Sequence, residues 1–257
     1  MTYLPDWREP APSRAAQWVL RARRHYESML GCVPASCPLC QGSARGGRLC
    51  GGCLVDVTQS MRSAAPRCAV CCLALADDGG CPDCLLRAPA FDRIVAAFDY
   101  ASPGDVLIRH FKVANRFAYA RMLAELLAHA VNAAMPSAPR HTILVPVPAS
   151  RASINKRGFN PAAELARCLS WQLPLRYRPD LLVRAREGVK QTSLSRVERA
   201  QSVQRLYRCA KRVDGAHIAV VDDVATTGST LHGIAREFKA AGAASVCGLV
   251  VARTPYR

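Results

Sequence analysis

Four Cys-x-x-Cys pairs crowd into one short stretch of this chain, and they limit its folding more than any other feature. They are Cys37/Cys40, Cys50/Cys53, Cys68/Cys71 and Cys81/Cys84. Nine residues separate Cys40 from Cys50, and nine separate Cys71 from Cys81. A two-residue gap lets both sulfurs of one turn reach a single metal, and two such turns complete a tetrahedron. A redox motif needs one pair at a helix start, not four in Gly-, Ala- and Ser-rich sequence suited to turns. The spacing therefore predicts a double zinc ribbon with these eight cysteines as ligands to two structural zincs. Four thiolates leave no open position for water. So small a segment buries little apolar surface, so metal binding supplies its folding energy. Sequential and interleaved pairing of the knuckles both remain open, and Cys32 and Cys72 receive no role.

Ten of the thirteen cysteines lie in this run. That crowding points to metal in a reducing compartment, not to disulfides. Cys168, Cys209 and Cys247 are scattered and read as small buried hydrophobes. No apolar run approaches the roughly 18 residues that would span a bilayer, so no membrane insertion is expected. Asp6, Arg8 and Glu9 stand where a signal peptide would be apolar. The expected location is cytoplasmic. The formal net charge is +16, and residues 151–212 alone hold 15 Lys/Arg against 4 Asp/Glu. Such a block expects an anionic partner: a phosphorylated substrate, pyrophosphate or nucleic acid.

Beyond the cysteines the periodicity changes. Residues 1–31 suggest a short amphipathic helix, and Arg87–Asp92 a junction. Strands are expected at Arg93–Tyr100, Thr142–Pro148, Ala216–Asp223 and Ser245–Arg253. Helices are expected at 104–112, Arg116–Ala134, Pro161–Leu173 (with Asn160 as N-cap) and Ser229–Gly242. Residues 185–206 read as an exposed basic loop. Strands alternating with helices imply an α/β fold with a parallel sheet, whose ligands sit beyond the carboxyl ends of the strands. The domains expected are an extension at 1–31, the ribbon at 32–90 and the α/β domain at 91–257.

At one such strand end stands VVDDVATTGST, Val220–Thr230. Two carboxylates there can accept hydrogen bonds from the vicinal hydroxyls of a ribose. The loop that follows enters a helix whose first amides lack partners. Those amides, the helix dipole and the hydroxyls of Thr226, Thr227, Ser229 and Thr230 form an anion cradle. Gly228 lets the backbone approach the anion. A diol on the acids and a phosphate in the loop amount to one pentose 5-phosphate.

The string IAVVDDVATTGST resembles the PRPP-binding motif of type I phosphoribosyltransferases. By that resemblance Asp222 and Asp223, the expected catalytic residues, hold the ribose hydroxyls, and Ala225 to Thr230 hold the 5-phosphate. The wider order resembles the ComF (GntX) family, a double zinc ribbon fused to a phosphoribosyltransferase-like domain. It comprises the paired cysteines, PAFDRIVAAFDY, IRHFKVANRFAYARML, VPVPASRASINKRGFNPAAELA and QTSLSRVERAQSVQRLYR ahead of the acid pair. The resemblance runs from Cys37 to the C-terminus. The chain departs from it at Pro161, at Ser202 and at Val113-Ala114-Asn115.

Type I enzymes hold the leaving pyrophosphate, with Mg2+, on a loop after the first main strand, here Pro146 and Val147 onward. Lys156 and Arg157 beside a glycine turn, and Lys112, are further phosphate candidates. The stretch Arg184–Arg199 falls where such enzymes carry a mobile loop, with Gln191, Thr192, Ser195 and Arg196 as its polar candidates. No histidine stands out as a general base. The resemblance implies a PRPP-binding phosphoribosyltransferase linked to DNA uptake and natural transformation, its acceptor open. Single-stranded DNA and uptake or recombination proteins are the implied partners. A non-catalytic single-stranded-DNA-binding accessory protein that retains a PRPP site is the alternative. A nucleobase-salvage enzyme ranks third.

Overall fold

The structure is a computed structural model that describes residues 29, 31–62, 66–113, 118–136, 139, 141–173, 175–185 and 206–256. The chain divides into two compact units, Met1–Leu54 and Val55–Arg257. The helix expected in residues 1–31 and the four polar loop candidates from Gln191 to Arg196 lie outside the described residues.

In the first unit, strands β1 (Pro34–Ser36) and β2 (Ser43–Arg45) pair antiparallel. The Cys37–Cys40 knuckle forms the bend between them, closed by Cys37 N donating to the Gly42 carbonyl at 2.8 Å. Helix α1 (Gly51–Arg62) follows and carries Cys53. Turns were expected here, but Leu54, Val57 and Met61 recur three and four apart, and that spacing makes a helical face. The boundary between the units falls within α1. The second pair of knuckles, Cys68/Cys71 and Cys81/Cys84, falls in the unit that carries the sheet.

The second unit is built on a five-stranded sheet. Its strands are β3 (Arg93–Asp99), β4 (Ile143–Pro146), β5 (Arg176–Tyr177), β8 (His217–Ala225) and β9 (Ser245–Arg253), in the order β3-β9-β8-β4-β5. All neighbours pair parallel. A parallel sheet is covered on both faces, so its strands read as apolar runs, and Val145, Val220, Val221 and Val250 are buried. Helix α2 (Gly104–Phe111) follows β3. Helices α3 (Ala118–Ala134) and α5 (Pro161–Gln172) pack on each other and on the sheet, and α6 (Ser229–Ala240) packs against β8 and β9.

The strand order decides where a ligand can sit. From β4 the chain moves outward to β5. It then returns to the other side of β4 as β8 and continues outward to β9. The direction reverses between β4 and β8, so their carboxyl ends diverge and leave a crevice.

Four further elements differ from the sequence reading. The basic turn expected at Asn155–Asn160 is the end of a further helix, α4 (Arg151–Arg157), capped by Ser150 and stopped by Gly158 at φ 80. A fifth strand, β5, adds an edge of two residues. The expected loop at 185–206 begins and ends on an antiparallel pair, β6 (Leu182–Arg184) and β7 (Tyr207–Cys209).

Candidate functional site

The crevice between β4 and β8 holds a cleft of about 280 Å3. Asp222 and Asp223 line it from the end of β8, Thr230 from the start of α6, and Val147 to Ser150 from the loop after β4. Val147 N donates to the Val221 carbonyl at 2.9 Å, so the two loops leave the sheet side by side.

The acid pair carries less charge than its composition suggests. Lys112, which caps the end of α2, places its ammonium 2.9 Å from an Asp223 carboxylate oxygen. Burial, then the neighbouring Asp223 charge, pushes the Asp222 carboxyl up to about 8. The raised Asp222 carboxyl and the Lys112 ammonium beside Asp223 both lower the negative charge that the pair presents. An anionic ligand meets little repulsion there.

The loop after the acids has the form expected. Gly228 sits at φ 70, in the left-handed region that side chains avoid. A Cβ there would also lie 3.5 Å from the Phe91 ring. Gly228 is the N-cap of α6 and supplies no side-chain cap, and the Ser229 amide that opens the helix donates to Thr227 Oγ1 at 3.4 Å. Thr227 and Ser229 hydroxyls lie 2.6 Å apart. Thr226 and Thr227 are exposed and Ala225 is buried.

The other candidates separate. Arg157 lines the cleft, whereas Lys156, one step around α4, faces solvent. Val147 lines the cleft, whereas Pro146 is buried in β4 opposite Val221. Several cleft residues escaped the sequence reading. Arg184 and Tyr207 end β6 and begin β7, with the guanidinium 5.6 Å from the ring centroid. The Arg184 Nε is buried without a hydrogen-bond partner among the described residues. Ser150 and Ser153 line the cleft from α4 and its cap. Asn160 both caps α5, accepting from Ala162 N at 3.1 Å, and donates to the Val147 carbonyl at 3.0 Å. No histidine lines the cleft among the described residues.

The eight knuckle cysteines form two groups, Cys37/Cys40/Cys50/Cys53 and Cys68/Cys71/Cys81/Cys84, so the pairing is sequential. Within each group the sulfurs all lie within 4.8 Å of one another. Cys40 and Cys50 sulfurs are 3.6 Å apart and those of Cys68 and Cys84 are 3.8 Å apart. A tetrahedral ion with sulfurs at about 2.3 Å sets them about 3.8 Å from each other. Backbone amides already point at sulfur: Cys50 N donates to Cys37 Sγ at 3.4 Å, and Cys71 N to Cys68 Sγ at 3.5 Å. Burial alone would raise the Cys37 thiol, but the amides of Cys40, Cys50 and Leu39 outweigh it and bring it down to about 6. Burial, then the thiols of its three partners, pushes Cys53 up to about 12. Four sulfurs so placed become thiolates together only around a cation, and both groups could hold a metal ion. Of the remaining cysteines, Cys168 is buried and Cys209 and Cys247 are half-buried.

The phosphoribosyl transferase domain family matches residues 152–256. DNA utilization protein YhgH of Shigella flexneri is 32% identical over 220 residues, covering 83% of this chain and 95% of that protein. Competence protein F of Haemophilus influenzae is 31% identical over 220 residues, 80% of this chain and 91% of that one. Competence protein ComFC of Bacillus subtilis is 36% identical over 118 residues, 45% and 46% of the two chains. The first two alignments each cover four-fifths or more of this chain and over nine-tenths of the relative at more than 30% identity, and the chain belongs to the ComF family.

Proposed function

We propose that the cleft binds PRPP and that the chain is a phosphoribosyltransferase-family protein working in the cytoplasm in DNA uptake or utilization, as its relatives' names suggest. One observation carries this reading. An acid pair, the first turn of α6 at Thr230 and three cations (Lys112, Arg157 and Arg184) converge on the crevice where the strand order reverses. Carboxylates accept from a sugar diol, and amides and hydroxyls take the 5-phosphate. The cations face the pyrophosphate, Arg157 and Arg184 as forks. Lacking a histidine, the site relies on charge placement around an oxocarbenium-like state.

Among the described residues the cleft offers two carboxylates, one already paired with Lys112. Mg2+ bound together with the donor would supply neutralisation of the pyrophosphate charge, beside Lys112, Arg157 and Arg184. Both cysteine groups take structural zinc. Gln191, Thr192, Ser195 and Arg196 belong to a segment whose two flanking residues, Ala185 and Leu206, are joined by a hydrogen bond beside the cleft, Ala185 N donating to the Leu206 carbonyl at 2.9 Å. That placement suits a loop that closes over the donor. The ribbon at 32–90 and the transferase domain at 91–257 are kept as functional divisions. Calorimetry with PRPP and Mg2+ tests the reading. We expect binding by the wild type and at least tenfold weaker binding by Asp222→Ala/Asp223→Ala; equal affinity would remove it.

A second reading is favoured by the basic block. In it the protein binds single-stranded DNA without catalysis, and the PRPP site is a sensor. Lys156 is exposed outside the cleft, while Arg167, Arg178 and Arg212 are held by Glu164, Asp180 and Asp214. A single-stranded DNA titration at two salt concentrations tests it. Binding that weakens as salt rises supports it, and no salt-dependent binding removes it.

A further inference from the structure

The largest side chain in the molecule's fully buried set is charged. Arg253, the last residue of β9, is 1% exposed. Burying a guanidinium is costly unless its donors are satisfied, and here they are shared between two places of chemical interest. On one side, Nε donates to the Cys71 carbonyl at 3.0 Å, and a terminal nitrogen donates to Asp83 Oδ2 at 3.1 Å. Cys71 is in the first knuckle of the second cysteine group, and Asp83 lies inside the other, between Cys81 and Cys84. On the other side, the second terminal nitrogen donates to the Ala225 carbonyl at 3.1 Å and to the Thr226 carbonyl. These are the first two residues of the phosphate loop.

We infer that Arg253 is a positioning residue through which the second cysteine group sets the phosphate loop, so that loss of metal from Cys68, Cys71, Cys81 and Cys84 loosens that loop. The planar fork is what makes the coupling rigid. Its nitrogens lie in fixed relation, so a shift of either knuckle must break a bond or move the carbonyls of Ala225 and Thr226. Lysine keeps the charge but cannot span the same acceptors. Around the same interface Phe91 packs under Gly228, and the Val70 carbonyl accepts from Ile94 N at 2.7 Å. The second group is therefore seated on the sheet independently of Arg253, and the arginine directs that seating to the loop. The inference rests on the PRPP reading only for its consequence in binding.

The test compares the metal-loaded full chain with the same chain stripped by a chelator, and with Arg253→Lys and Asp83→Asn. Hydrogen exchange of the amides at 225–230 reads the loop, metal content reads the cysteine groups, and calorimetry with PRPP and Mg2+ reads the site. Stripping should speed exchange at 225–230 at least tenfold. Arg253→Lys should show the same faster exchange while retaining its metal, with tenfold weaker PRPP binding. Unchanged exchange in the stripped wild type overturns the inference, as does Arg253→Lys behaving as wild type. Should a variant fail to fold, the stripped wild type still decides. If the wild type binds no PRPP, the functional reading falls while the exchange result still judges the coupling.

Discussion

Asp222 and Asp223 adjoin in a strand, where successive side chains start on opposite faces. Both line the same cleft, which opens where β8 has passed the end of its partner β4 while still paired with β9. Their different surroundings divide the charge: Asp223 meets Lys112, and Asp222 is pushed up to about 8. A carboxyl raised in the folded state supports folding at pH values below its unfolded pKa, near 4. That support is lost as pH rises to about 8. Asp222→Asn should therefore gain stability over the wild type across this window, by on the order of 1 kcal/mol per pH unit at most. Thermal unfolding of both proteins without ligand between pH 4.5 and 8.5 checks it, and a constant difference would contradict it. The place of the acids in the cleft was legible in the sequence because a carboxylate pair closing an apolar run marks the ligand end of a parallel strand. The role of Lys112 beside Asp223 was not, because 110 residues separate them in the chain.

At the scale of elements, segment 147–160 joins the two halves of the cleft. Asn160 was readable as the cap of α5, since asparagine before proline and an apolar run marks a helix start. Its second bond, to the Val147 carbonyl, was not readable. Asn160→Ala removes both and should cost about 1 kcal/mol or more of stability. Asn160→Ser keeps a capping oxygen but loses the donor, so it should leave stability nearly intact and still weaken PRPP binding. Denaturant midpoints and calorimetry on the two variants separate the roles. Helix α4 escaped the sequence reading because seven residues between a serine and a glycine show no sustained period. The short strands β5, β6 and β7 escaped for the same reason: two or three residues carry no alternation.

For the whole molecule, the cysteine groups fix a stoichiometry. Elemental analysis should find two zincs per chain, and a chelator should remove them with loss of structure around Cys37–Cys53 and Cys68–Cys84. Finding no metal would sink the assignment. No helix among the described residues is long and apolar enough to cross a membrane.

The sequence by itself determined what is written in local spacing: eight paired thiols, the strand–loop–helix of the acid pair, and the alternation that makes a parallel sheet. Such features depend on neighbours a few residues apart, where covalent geometry fixes who can meet. The tertiary structure alone decided which knuckles lie together and which cations face the cleft. It also decided that Arg253, at the end of an apolar strand, lies between a cysteine group and the phosphate loop. Those contacts join residues as far apart as Cys71 and Arg253, and only the order of strands in the sheet brings them together.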